Sequence, residues 1–184
     1  MARTAVFGGS FNPIHYGHLL LADEVLDALG LDRVLFVPAA VPPHKPNAQL
    51  APAQDRYVMV ELAVAGHPRF SVSDVELRRA GPSYTVDTLE ALRVPREELF
   101  LIVGSETFLD LLTWRAPRRV AQRQEPRERL VGVLGVGDDL AAEGHEALEE
   151  AADAAFAADP GFDFAAALAA SLTRGAFGAG ISLS

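Results

Sequence analysis

Two apolar rhythms alternate along this chain. Residues 3–7, RTAVF, form a short run suited to a buried strand, which Gly8 and Gly9 are expected to break. From Gly17 to Leu29 the positions Leu20, Leu21, Val25, Leu26 and Leu29 recur at helical spacing, and Gly30 suits a C-terminal cap. RVLFVP (33–38) predicts the next strand, and AAVPPHKPNAQLAP is a proline-rich loop without periodicity. AQDRYVMVELAVAG (53–66) reads as a helix that again ends on glycine. RFSVSDVEL (69–77) contains a strand, GPSY (81–84) a turn, and TVDTLEALR a short helix. ELFLIVG (98–104) is apolar almost throughout, as in a strand buried on both faces. SETFLDLLTW resumes helical spacing, and RLVGVLGV (129–136) predicts a further strand weakened by its glycines.

Strand and helix alternate at least four times, with crossovers long enough to return parallel. That order predicts an α/β fold, a Rossmann-like doubly wound parallel sheet in a single domain. Ligands of such sheets sit beyond the carboxyl ends of the strands, near a switch in strand order. The stretches GGSFNPIHYGH, PPHK and GSETF all follow predicted strands, so one edge can hold all three. No internal repeat is visible. Residues 1–117 carry the motifs, whereas 118–184 are divergent and helix-rich. Between Asp138 and Ala170 alanine and acids dominate, which predicts two helices parted near DPGFD, with packing rather than chemistry as their role.

Composition narrows the function. A length of 184 residues suits one domain, and 49% hydrophobic residues can build a core. A formal charge of −9 argues against a nucleic-acid partner, because phosphate backbones need a basic footprint. Zero cysteines exclude a disulfide framework and thiol catalysis, and fit a cytoplasmic location. No signal-like apolar segment and no run near the ~18–20 residues of a membrane span is present, so no membrane partner is expected. Lys45 is the single lysine beside fifteen arginines. Either it is a chance survivor of arginine bias, or its place requires a compact ammonium that guanidinium does not imitate.

The stretch GGSFNPIHYGH brings glycines and imidazoles to a strand-to-helix junction. A helix start presents unpaired N–H groups and partial positive charge, which stabilise phosphate. Gly8 and Gly9 let the backbone approach a ligand closely. His15 and His18, one helical turn apart, can donate to phosphoryl oxygens and support charge developing in phosphoryl transfer. The stretch is neither GxGxxG nor GxxxxGK followed by Ser or Thr, so it indicates neither a dinucleotide fingerprint nor a P-loop.

GGSFNPIHYGH resembles the signature of the nucleotidylyltransferases related to class I aminoacyl-tRNA synthetases. With VPAAVPPHK (37–45), ELRRAGPSYTVDTL (76–89) and LIVGSETFLDLLTWR (101–115), it is similar to the bacterial nicotinate-mononucleotide adenylyltransferase family. The resemblance implies adenylyl transfer from ATP to nicotinate mononucleotide, giving deamido-NAD and pyrophosphate. It assigns His15 and His18 to the ATP phosphates, with Lys45 supplying charge as its loop closes. Gly8, Gly9, Ser10 and Phe11 would line the adenosine side, and Gly104 and Glu106 would meet ribose hydroxyls. His44, Lys45, Arg56, Thr85, Trp114 and Arg115 are its candidates for the nicotinate nucleotide. Within these, Arg56 would take the phosphate, Thr85 the carboxylate and Trp114 the pyridine ring. Core packing for Trp114 and an N-cap role for Thr85 remain open readings. Mg²⁺ would arrive with ATP rather than in a carboxylate cage.

Three departures stand out. Asn12 occupies a position often held by aspartate, and Glu106 replaces an aspartate, pushing its carboxylate outward by a methylene. Relatives end in an I-S-S-T-x-x-R element over the ATP phosphates; here Ile181, Ser182 and Ser184 resemble its beginning, without the arginine. Also absent between Arg118 and Gly135 is the R-P-G that relatives carry after the fifth strand. Truncation and a weakened nucleotide-binding protein are both open on this reading, as is a pantetheine-phosphate adenylyltransferase, which shares the double-histidine loop. Oligomeric state is also open: the alanine-rich helices could form a homo-oligomer interface.

Overall fold

The computed structural model describes residues 2–43, 50–94, 99–104, 107, 113–122 and 130–132. These contain the strands β1 (Thr4–Gly9), β2 (Arg33–Pro38), β3 (Phe70–Val72), β4 (Leu99–Val103) and β5 (Leu130–Gly132). The helices are α1 (Tyr16–Leu29), α2 (Ala53–Val64), α3 (Thr85–Ala91) and α4 (Pro117–Gln122). All strand pairs are parallel, in the order β3-β2-β1-β4-β5. The chain therefore winds outward from β1 to β3, crosses back, and continues on the other side of β1. The switch lies between β1 and β4, the crevice where doubly wound sheets receive ligands.

Register explains the two cores. Ala5 stands between Val34 and Phe100, and Phe7 between Phe36 and Ile102. These rows meet Leu21, Ala22, Val25 and Leu26 of α1 and Val60 and Val64 of α2 on one face. Val6, Leu99, Leu101 and Val103 point the other way, against Val86 and Leu89 of α3 and Val120 of α4. Each large aliphatic side chain buried in such a layer contributes about 1.5–3 kcal/mol.

The local outcomes follow from specific residues. Gly30 ends α1 in the left-handed conformation (φ 59°), its N–H donating to Asp27 O, while Leu31 N–H reaches Leu26 O at 2.9 Å. Gly8 and Gly9 do not break β1: they pair with Val37 and Pro38, so the strand runs two residues further than its apolar run. Helix α2 ends at Val64 with Ala65, in ordinary helical geometry, as its C-cap, so the expected glycine cap is not used. β3 is confined to three residues because the chain turns at 75–78. The short α4 was not expected, and β5 holds three of the eight residues 129–136 among those described. The predicted helices of 138–170, and most of SETFLDLLTW, lie outside the described residues.

Candidate functional site

The entry to α1 is built as a compact aromatic corner. Its N-cap, His15, is extended (φ −146°, ψ 172°), and its carbonyl accepts the N–H of His18 at 3.0 Å. His15 N–H donates back to His18 Nδ1 at 3.3 Å, and the two rings lie 3.8 Å apart, tilted by 35°. With Nδ1 accepting there, Nε2 is the ring nitrogen left to donate. The ring rests against Phe11 at 5.1 Å and Phe7 at 5.8 Å, which limits its rotamers. His18 is thus a half-buried, oriented N–H donor, whereas His15 is exposed above Gly17, where a Cβ would come 3.1 Å from its Nδ1.

The glycine loop is equally constrained. Phe11 adopts a positive φ of 44°, uncommon for a bulky residue, and buries its ring to 1% exposure. Only its backbone is left to face a ligand. Ser10 presents its carbonyl inward, and Gly9 O accepts Ala39 N–H at 2.8 Å. A Cβ built on Gly8 or on Gly104, which follows β4, would meet no described atom within 4 Å. Among the described residues, both glycines therefore border open space at the ends of the two strands that flank the switch.

Arg56 departs from its expected place. It is 1% exposed, and its guanidinium donates to Ser10 O (2.6 Å), Ala51 O (2.9 Å) and Ala40 O (3.2 Å). Three of its five N–H groups thus serve main-chain carbonyls from three segments. Burial lowers its pKa, and the neighbouring Glu76 carboxylate partly opposes that. The structure turns Arg56 inward, tying the glycine loop to the loop after β2, rather than outward as a phosphate ligand. Asn12 reinforces the tie, its Oδ1 accepting Ala51 N–H at 3.0 Å.

On the opposite face, Trp114 and Tyr84 pack against the cluster that includes Val6, Val86 and Leu89. Trp114 is half-buried, so it packs on the core and keeps part of its surface free. Thr85 is the first residue of α3; Tyr84 is the N-cap, so the N-cap reading of Thr85 does not hold. Arg115 lies over the Tyr84 ring at 4.7 Å and pairs with Asp87 at 3.4 Å. Ser83 anchors this turn to the loop after β2: Val41 N–H donates to Ser83 Oγ (3.0 Å) and Ser83 N–H to Val41 O (2.8 Å). Alternation along β1 sends Phe7 toward His18 and Val6 toward Trp114. The two groups therefore occupy opposite sides of one strand that ends in glycine.

A family model described as cytidylyltransferase-like matches residues 6–133. The chain belongs to this family. A Thermus thermophilus protein named "Probable nicotinate-nucleotide adenylyltransferase" is 57% identical over 122 residues, 65% of this chain and 64% of that protein. A Geobacillus thermodenitrificans protein of the same name is 49% identical over 116 residues, 62% of this chain and 54% of that protein. The matched stretch thus spans between half and two thirds of these relatives. The Plasmodium falciparum nicotinic acid mononucleotide adenylyltransferase, solved in complex with NaAD, superposes with a TM-score of 0.60 at 15% identity. That alignment covers 80% of this chain and 71% of the other, and it supports the α/β fold alone.

Within this cytidylyltransferase-like chain, His44, Lys45, Glu106, Ile181 and Ser182 lie outside the described residues. Among those described, no group of three or more His, Cys, Asp or Glu side chains is arranged to hold a metal ion. Nor is any described helix long and apolar enough to cross a membrane. Sequence reasoning missed Asn12 as a loop anchor, and it missed the buried pair Glu76 and Thr88. An acid beside two arginines in VELRR carries no periodic signal of burial, so no sequence rule would have found Glu76.

Proposed function

We propose that this chain transfers the adenylyl group of magnesium-bound ATP to nicotinate mononucleotide, yielding deamido-NAD and pyrophosphate. One observation carries the reading: the His18 ring, oriented by the His15 N–H at the head of α1, next to a glycine strand end with no described atom above it. In the reaction a 5′-phosphate oxygen of the mononucleotide attacks the α-phosphorus in line. The bond to the bridging α–β oxygen breaks, and its electrons leave with pyrophosphate. No protein nucleophile is needed; positioning and charge stabilisation suffice. A preorganised donor aimed at developing charge contributes about 2.7–4 kcal/mol. His18 fills that role, with His15 on a neighbouring phosphoryl oxygen and the backbone of 8–11 toward adenosine. The names of relatives at 49–57% identity support the acceptor. On this reading Lys45 and His44 bring charge to the phosphates, and Gly104 and Glu106 meet ribose. Ile181 and Ser182 would serve the ATP phosphates. Thr85, Trp114 and Arg115 form the acceptor side of a cytoplasmic enzyme.

The deciding experiment measures pyrophosphate release from Mg·ATP with each acceptor in turn. Release with nicotinate mononucleotide is expected. Release only with phosphopantetheine overturns the acceptor, and ATP binding without turnover overturns the enzyme. A second expectation concerns Trp114→Ala. Ring stacking contributes about 1–3 kcal/mol, so the KM for the mononucleotide should rise roughly tenfold to a hundredfold, with ATP little affected. An unchanged KM would leave Trp114 a packing residue only.

A further inference from the structure

Glu76 is buried to 6% exposure in the turn before α3, and Thr88, also buried, donates its hydroxyl to Glu76 Oε1. The other oxygen, Oε2, has no hydrogen-bond partner among the described residues. Burying a carboxylate this way is costly and calls for a reason. Thr88 supplies one. Its Oγ also lies 3.2 Å from Tyr84 O, the carbonyl one turn back, which already receives the N–H groups of Asp87 and Thr88. A hydroxyl has a single proton. Donated to Tyr84 O, that proton would make the back-bond that bends helices; donated to Glu76, it leaves the first turn of α3 undistorted.

We infer that Glu76, through Thr88, is a positioning residue that sets the first turn of α3 and so places Thr85 for the acceptor. The inference rests on the proposed adenylyl transfer, because it takes Thr85 as the group that receives the mononucleotide carboxylate. Glu76 touches neither substrate. The carboxylate also acts electrostatically on Arg56, which holds Ser10, Ala40 and Ala51.

The test compares Thr88→Val, which keeps shape but loses the hydroxyl, with Thr88→Ser, which keeps the hydroxyl, and adds Glu76→Ala. Thr88→Val and Glu76→Ala should raise the mononucleotide KM on the order of tenfold, below the ~100-fold cost of a 1 Å misplacement. The KM for ATP should change less than about twofold in the Thr88 variants. Thr88→Ser should behave as wild type. Equal rises in both KM values, or a Ser variant as impaired as Val, overturn the inference. Wild-type turnover with nicotinate mononucleotide is the separate check on the function itself. Should it fail, amide hydrogen exchange across 83–88 decides without any substrate. Faster exchange there in Thr88→Val but not Thr88→Ser supports the positioning role, and equal exchange in both refutes it.

Discussion

Replacing His18 by alanine should lower kcat by at least about a hundredfold while the fold persists. A hundredfold corresponds to ~2.7 kcal/mol of transition-state stabilisation, the size expected of one preorganised donor. The fold should survive because the ring is half-buried, and Phe7 and Phe11 remain packed against Phe36 without it. His18→Gln refines the test. Glutamine offers an amide N–H at a reach comparable to Nε2, so a pure donor role predicts recovery of about tenfold over alanine. A proton-transfer role predicts no recovery, because an amide does not titrate. Turnover of His18→Ala within a few-fold of wild type would remove His18 from the mechanism. Circular dichroism and a thermal melt distinguish lost chemistry from lost structure.

How far the sequence discloses this arrangement depends on whether a residue's role is local. β2 is read correctly at 33–38 because its apolar run is bounded by a charge and a proline. α1 and its Gly30 cap follow from periodicity and one glycine, both local signals. Gly8 and Gly9 mislead, because pairing with β2 overrides their weak strand preference. α4 escapes notice because PRRVAQ is too short to show a period. The juxtaposition of His15 and His18 is legible since one helical turn separates them, but the direction of the His18 proton is not. That depends on the main-chain N–H of His15. Arg56 shows the general difficulty most clearly. A charged residue in the first turn of an apolar helix reads as a solvent-facing ligand; three carbonyls gathered around it, Ser10 and Ala40 from earlier segments and Ala51 just before the helix, explain its burial.

That burial makes Arg56 the residue whose loss should cost the most stability. In Arg56→Met the stem and much of the volume remain, but Ser10 O, Ala40 O and Ala51 O lose a charged donor. Leaving a buried acceptor unpaired costs about 1–3 kcal/mol. The three carbonyls are only part-buried, so water recovers some of this, and the net expectation is about 3 kcal/mol. For a chain of this length each kcal/mol moves the melting temperature by ~2–4 °C, so Tm should fall by roughly 6–12 °C. Arg56→Lys should lie between wild type and Met, since one ammonium cannot reproduce a fork that reaches three carbonyls. A phosphate ligand would behave in the opposite way: Tm would hold and the mononucleotide KM would climb. Thermal melts alongside KM measurements separate the two. A Met variant as stable as wild type would return Arg56 to the substrate, and the hold on the glycine loop would then shift toward contacts such as Asn12 to Ala51 and Ala39 to Gly9.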